Sequence, residues 1–363
     1  MPTPATDGFT PDYAVTPGEI LEETLESRGI KKSAFAERCG LSAKTVSQII
    51  HGKAPVTPET AIQFERVLGV SAAVWNNLEA FSRLHEAHFK VREKLEKQKA
   101  WARRFPVREL IKRGLIPSGK GPVNQIEGLL AFFGVGSIQA WEKRFQKMSV
   151  AYRRSPSFQA APESVAAWLR IGERIAQGID TSPFDRDAFG SALTEIRNMT
   201  TTLPRAFVPR MKERCRRAGV ALVMVPELPR THLSGATRWL SKDKALIMLS
   251  LRHKRDDHFW FTFFHEAGHI QLHGKKTVFI EEQGLEHNRE EIEADRFAAH
   301  LLIPEGDYKR FTQDRGRPTR KAVQNFAAEL GIAPGIVVGR LQHDRIIDFS
   351  WYNELVRRFH FSE

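Results

Sequence analysis

The stretch that most constrains this chain is residues 257–273, where His265-Glu266-x-x-His269 sits in a run rich in aromatic residues, Phe259, Trp260, Phe263 and Phe264. On an α-helix, residues four apart share a face one turn apart, so the two imidazoles can grip one ion. Glu266 lies beside the first of them and can reach a water on that ion without being a ligand. This is the spacing of zinc hydrolases. The aromatic face anchors such a helix in a core, with Asp256 or Asp257 as its N-cap and Gly274 as its stop. H-E-x-x-H arises by chance in roughly one chain in thirty of this composition, so its surroundings must carry the reading.

Those surroundings are suited to it. Val220–Val225 reads as a short apolar strand after a basic helix, and Ser234–Leu240 and Ala245–Ser250 as two more strands around a hairpin turn at Ser241-Lys242-Asp243-Lys244. A hydrolytic zinc needs a third protein ligand. The helical run Glu290–Ala299 offers one: Glu291 and Asp295 lie four apart on one face, so Glu291 could ligate while Asp295 accepts a hydrogen bond from a ligand imidazole and fixes its tautomer. Glu293 points about 200° away from Glu291 and is the alternative third ligand. His273 reads as a C-terminal helix cap. Tyr308, Arg238 and His300 are candidates for stabilising an oxyanion, while His232, His253, His258 and His287 default to surface residues.

Phe264-His265-Glu266-Ala267-Gly268-His269-Ile270-x-Leu272-His273, Glu291-x-Glu293-Ala294-Asp295-x-Phe297-Ala298 and Leu301-Leu302-Ile303-Pro304 together resemble the ImmA/IrrE family of metallopeptidases, over residues 205–345. The resemblance implies a gluzincin-like fold, zinc as the cofactor, and cleavage of repressor-like proteins in response to a signal. The Glu-x-x-x-Asp arrangement of gluzincins favours Glu291 over Glu293. Asp295 departs from the Asn of many relatives, which strengthens the hydrogen bond to a ligand imidazole. In this reading His265, His269 and Glu291 hold the metal. Glu266 takes a proton from the attacking water and passes it to the leaving amine.

The N-terminal third has a different pattern. Pro17-Gly18-Glu19 starts a helix, a second covers Lys32–Cys39, and Ser42 caps a third. Phe35, Ala36, Leu41, Val46 and Ile49 or Ile50 fall where a helix-turn-helix buries residues, and Gly40 permits its turn. Lys44, Thr45, Ser47 and Gln48 face outward, suited to base edges and phosphate. With His51-Gly52-Lys53, Thr57-Pro58-Glu59-Thr60-Ala61, Leu68-Gly69-Val70-Ser71 and Trp75-x-x-Leu78, residues 15–85 resemble the Xre-type helix-turn-helix of HigA-like antitoxins. That resemblance implies a homodimer on a palindromic DNA operator and a toxin as a further partner. Lys32 and Ser33 stand where many relatives have a phosphate-binding glutamine. The candidate DNA contacts are Lys32, Ser33, Ser42, Lys44, Thr45, Ser47 and Gln48.

Composition fits both halves. A net charge of +12 favours polyanionic partners, nucleic acid first. Cys39 and Cys215 are too few and too distant for a disulfide framework or a thiolate zinc site. No apolar run reaches membrane-spanning length and no signal peptide is evident, so the chain reads as cytoplasmic. Between the two motifs lie a basic stretch with Pro106 at a helix junction, a linker at Pro117–Pro122 and an all-helical region. Phe326–Ala333 repeats the register of Phe35–Ser42, but Pro334, Gly335, Ile336, Val338 and Gly339 offer no base-reading groups, so this echo reads as a packing module.

The expected organisation is multidomain. A tail over 1–15 precedes an all-α helix-turn-helix domain at 16–82, then come a basic helical spacer at 83–120 and an all-helical middle at 121–203. An α+β zincin domain occupies 204–363. The expected function is a DNA-binding regulator with a zinc-dependent endopeptidase. The alternative is an antitoxin-like repressor whose zincin domain is a sensor with little proteolysis.

Overall fold

The computed structural model describes residues 15–119, 121–145, 161–250, 252–273, 285–313 and 317–359. The expected helix stop at Gly274 and nearly all of the expected tail lie outside them. The chain forms two compact units, Met1–Lys99 and Ala100–Glu363.

The first unit is all helical: α1 (Pro17–Ser27), α2 (Lys32–Cys39), α3 (Ala43–Ile50), α4 (Pro58–Leu68) and α5 (Ala72–Glu96). Its helix starts are legible residue by residue. Thr16 and Glu19 form a reciprocal capping box, and Ser42, Thr57 and Ser71 each accept a first-turn N–H. Gly40 joins α2 to α3 at φ +70°, which lets the Leu41 N–H donate to the Ala36 carbonyl at 2.9 Å. Phe35, Val46, Phe64 and Trp75 fill the core, with Phe64 edge-on to Trp75. α5 continues unbroken through residues 82 and 83.

The second unit opens with a short 3-10 turn (Ala102–Arg104) and α6 (Val107–Lys112), with Pro106 at its N-cap, then α7 (Pro122–Phe133) and a helical run over 138–145. Trp101, Phe105, Phe133 and Trp141 pack together in edge-on and tilted pairs. Next come α8 (Pro162–Gln177), α9 (Arg186–Arg197) and α10 (Pro204–Arg217). They lead into a three-stranded sheet, β1 (Val220–Met224), β2 (Gly235–Ser241) and β3 (Lys244–Leu249). The order is β1-β3-β2, with β1 parallel and β2 antiparallel to the central β3; Ser241 pairs with Lys244 across the expected hairpin turn.

Both faces of the sheet are covered. Val220, Leu222, Trp239, Ala245, Ile247 and Leu249 point into the core shared with α11 (Asp256–Leu272). On the other face Met248 lies against Gly172 of α8, and the Trp168 Nε1–H donates to the Val225 carbonyl. Strands buried on both sides read as continuous apolar runs, which is what Val220–Met224 and Ala245–Leu249 are.

After α11 come α12 (Leu285–Leu302), α13 (Glu305–Gln313), α14 (Arg320–Leu330) and α15 (Pro334–His343). The N-cap of α11 is Arg255 rather than either expected aspartate. Asp256 and Asp257 are buried in the first turn, where the guanidinium groups of Arg357 and Arg255 hold them. The turn between α14 and α15 repeats that between α2 and α3: Gly331 has φ +66°, and the Ile332 N–H donates to the Ala327 carbonyl at 3.0 Å. Here the second helix is buried through Ile336, Val337, Val338 and Leu341, with Gly339 against Asp257 of α11. The echo therefore packs the metal-motif helix. Among the described residues no single helix is long and apolar enough to cross a membrane.

Candidate functional site

His265, Glu266 and His269 project from α11 and Glu291 from α12. The two helices meet closely at Gly268, where a Cβ would lie 3.2 Å from the Ala294 Cα, so any larger residue would push Glu291 away. The Nε2 atoms of His265 and His269 are 3.1 Å apart; Glu291 places Oε2 3.2 Å from the first and Oε1 3.4 Å from the second. Ligands at ~2.0–2.1 Å around a tetrahedral ion stand ~3.3–3.4 Å from one another. Two imidazole nitrogens and one carboxylate at this spacing fit zinc.

The outer nitrogens of the two rings are also engaged. His265 Nδ1 is 2.8 Å from Asp295 Oδ1, and His269 Nδ1 is 3.1 Å from His273 Nδ1. Burial works against a charge on His265, but its bonds to Asp295 and Glu291 outweigh this and push its pKa up to about 10. Burial would raise Glu291 too, yet its hydrogen bonds with His265 and His269 hold it well below the usual carboxylate range. Glu266 is only 8% exposed, and burial pushes its pKa up against the opposing charges of His265 and His269. It is pressed against β2, where a Cβ on Gly235 would stand 2.7 Å from Glu266 Oε1. The Thr237 hydroxyl donates to the Glu266 backbone carbonyl at 3.0 Å, tying strand to helix.

In the first unit, α3 presents Lys44 and Ser47 to solvent and leaves Gln48 partly exposed. Ser42 caps the helix through the Thr45 N–H, and the two hydroxyls lie 2.8 Å apart, so each holds the other in place. At the start of α2, Lys32 is paired with Glu22 and Ser33 is exposed.

Two families match the chain: residues 21–75 match the helix-turn-helix family, and residues 222–342 match the IrrE N-terminal-like domain of the M78 peptidases. The chain joins an Xre-type helix-turn-helix domain to an IrrE-like domain. The first domain is similar to the HTH-type transcriptional regulator YddM of Escherichia coli (strain K12), 37% identical over 71 residues, which are 20% of this chain and 76% of YddM. A HigA-family addiction module antidote protein from Coxiella burnetii is 27% identical with a TM-score of 0.21, covering 23% of this chain and 91% of that one. A Pseudomonas aeruginosa protein solved with its operator DNA is 32% identical with a TM-score of 0.21, covering 22% of this chain and 85% of that one.

Within the IrrE-like domain, Glu291 rather than Glu293 is the carboxylate brought to the two imidazoles. Glu293 turns to His273, with Oε2 3.2 Å from its Nε2. His273 is the C-cap residue of α11, as its position suggested, but its ring also meets His269. Each of the three oxyanion candidates has another partner. Arg238 alternates to the α8 face of β2 and pairs with Glu173, Tyr308 donates to Asp344, and His300 is an exposed partner of Glu305. Gly235 and Thr237 carry no motif signal, and only their place on the strand beside the helix reveals them.

Proposed function

We propose that this chain is a DNA-binding transcriptional regulator whose IrrE-like domain is a zinc-dependent endopeptidase acting on a regulatory protein. The observation that carries the proposal is the convergence of His265, His269 and Glu291 on one point, with the buried carboxylate of Glu266 beside them. A zinc ion held by those three side chains would supply Lewis acidity and a water acidic enough to be deprotonated near neutral pH. Glu266 takes that proton on a carboxylate oxygen, and its raised pKa suits it to return the proton to the departing amine. Gly235 leaves room for the Glu266 head. Among the described residues β2 pairs only with β3, so its outer edge can take an extended peptide as a further strand.

The first unit supplies the address. α3 is the recognition helix, with Lys44, Ser47 and Gln48 reading the major groove and Lys32 and Ser33 near the backbone. Val74, Phe81, Leu84 and Val91 of α5 are each 45% to 58% exposed, and their spacing is that of a coiled-coil seam. A second copy of the chain would cover that seam and pair two recognition helices.

Comparison of protein termini in cells making wild type or Glu266→Gln under stress tests the enzyme. Both proteins should purify with about one zinc per chain. Only the wild type should generate a new fragment of a cellular protein. Equal fragments from both would exclude Glu266 as the proton carrier, and absence of zinc from both would exclude the metal site.

A further inference from the structure

The two histidines of the candidate centre differ in what lies behind them. His265 Nδ1 meets a carboxylate directly, at Asp295, whose side chain is 56% exposed. His269 Nδ1 instead meets a second imidazole, His273 Nδ1, at 3.1 Å. Behind that ring, His273 Nε2 is 3.2 Å from Glu293 Oε2, and Glu293 Oε1 accepts from Arg289 Nε at 2.8 Å. The two imidazoles are among the most enclosed groups here, with side chains 2% and 4% exposed, so bulk water is poorly placed to substitute for either contact.

One proton arrangement satisfies every contact in this row. A neutral His269 that offers the Nε2 lone pair to a metal must carry its proton on Nδ1 and donate from there. His273 Nδ1 must then accept, which puts the proton of a neutral His273 on Nε2. That N–H faces Glu293 Oε2, an acceptor, and Glu293 is neutralised by Arg289. Each atom meets its complement and no imidazole is charged. His273 is not itself a fourth ligand, because it contacts the side of the His269 ring opposite to the Nε2 that faces His265.

We infer that His273, held by Glu293, is a positioning residue that fixes the tautomer and ring orientation of His269 for metal binding. The inference rests on the zinc reading of His265, His269 and Glu291 and extends it to residues on a second row of the same two helices. Outer hydrogen-bond partners of ligand histidines typically contribute 10–100-fold in metal affinity.

The test uses the full-length protein and zinc competition against a chromophoric chelator, with the visible spectrum of the cobalt-loaded protein as a second readout. His273→Leu keeps bulk but removes the acceptor and should weaken zinc about 10–100-fold and alter the cobalt bands. His273→Asn restores an oxygen near the Nδ1 position and should recover most of the affinity. Glu293→Leu should weaken zinc in the same direction by removing the acceptor that His273 Nε2 faces. If His273→Leu unfolds, the Asn and Glu293 variants still decide the matter. Wild-type affinity and an unchanged cobalt spectrum in both His273→Leu and Glu293→Leu would overturn the inference while leaving the metal site intact. A wild-type chain that takes up no zinc would overturn the metal reading and the inference with it.

Discussion

Gly235→Ala should damage catalysis while sparing the metal. The new methyl would stand 2.7 Å from Glu266 Oε1, 2.8 Å from Glu266 Cγ and 2.7 Å from Thr262 Cγ2. Carbon contacts normally begin near ~3.5 Å, so something must yield by roughly 0.7–0.8 Å. The strand is poorly placed to do so, because Gly235 pairs with Leu249 in the ladder and Thr237 is bonded to the Glu266 carbonyl. Thr262 can turn its methyl aside about χ1, which relieves that contact but neither of the two with Glu266. The displacement therefore falls on the Glu266 carboxylate. A misplacement of about 1 Å at a reacting group costs on the order of 10²-fold in rate, equivalent to ~2.7 kcal/mol of activation free energy. The three atoms nearest the new methyl belong to Glu266 and Thr262 rather than to His265, His269 or Glu291, so zinc content should stay at that of the wild type. The measurement is kcat/KM on the substrate found by the termini comparison, with zinc determined on the same preparations. Activity within about 3-fold of wild type, or zinc lost together with activity, would refute the assignment of Gly235 as the seat of Glu266.

Three further outcomes follow from the packing and the charges. Trp260 is fully buried and its indole N–H has no hydrogen-bond partner among the described residues, so Trp260→Phe removes an unsatisfied donor while opening a small cavity. These effects oppose each other at ~1–3 kcal/mol apiece, and chemical denaturation should place the variant within ~1 kcal/mol of wild type; a loss above ~3 kcal/mol would contradict this. His253 and His258 stack at the surface with ring centroids 4.3 Å apart, and partial loss of water around the paired rings lowers both pKa values, the neighbouring imidazole adding to the effect on His253. Since the unfolded chain binds protons more readily, the stability they protect is present above the ordinary histidine pKa and is lost as pH falls through their lowered values. The melting temperature of the wild type should fall more between pH 7.5 and pH 5.5 than that of a His253→Gln, His258→Gln double variant, and equal slopes would sink the idea; the two pH values are chosen about one unit either side of ~6.5. Phe81→Glu with Leu84→Glu should convert a dimer to monomers by sedimentation and weaken operator binding, an outcome ruled out if the wild type is already monomeric at tens of micromolar.

Much of the fold was legible because its signals are local. The capping residue Ser42, the left-handed glycine at Gly40 and the two-residue turn after Ser241 each act within a few positions of chain. The misassigned N-cap of α11 shows where locality ends. An aspartate before an apolar run favours capping, but here Arg357, a hundred residues on, and Arg255 draw both aspartates into the first turn. The direction of Arg238 escaped for a similar reason. Alternation along β2 predicts that it and Trp239 face opposite ways, but not which face meets the metal-motif helix, and that depends on α8 supplying Glu173.

The candidate centre extends this point. His265, His269 and His273 recur every four residues, so the sequence states only that three imidazoles lie along one strip of α11. Their roles depend on which nitrogen each turns inward, and that choice is made on α12. Asp295 engages the outer nitrogen of His265, which turns its Nε2 inward; Glu291 meets the inner nitrogens of His265 and His269; Glu293 takes the far nitrogen of His273 and leaves its Nδ1 to face His269. Three carboxylates at alternate positions in a five-residue window thus assign three different tasks to three histidines of equal spacing. A helical wheel puts Glu291 and Asp295 on one side and Glu293 on the other, which separates the first two tasks from the third. What the wheel lacks is the close approach at Gly268, and without it none of these carboxylates would reach its imidazole.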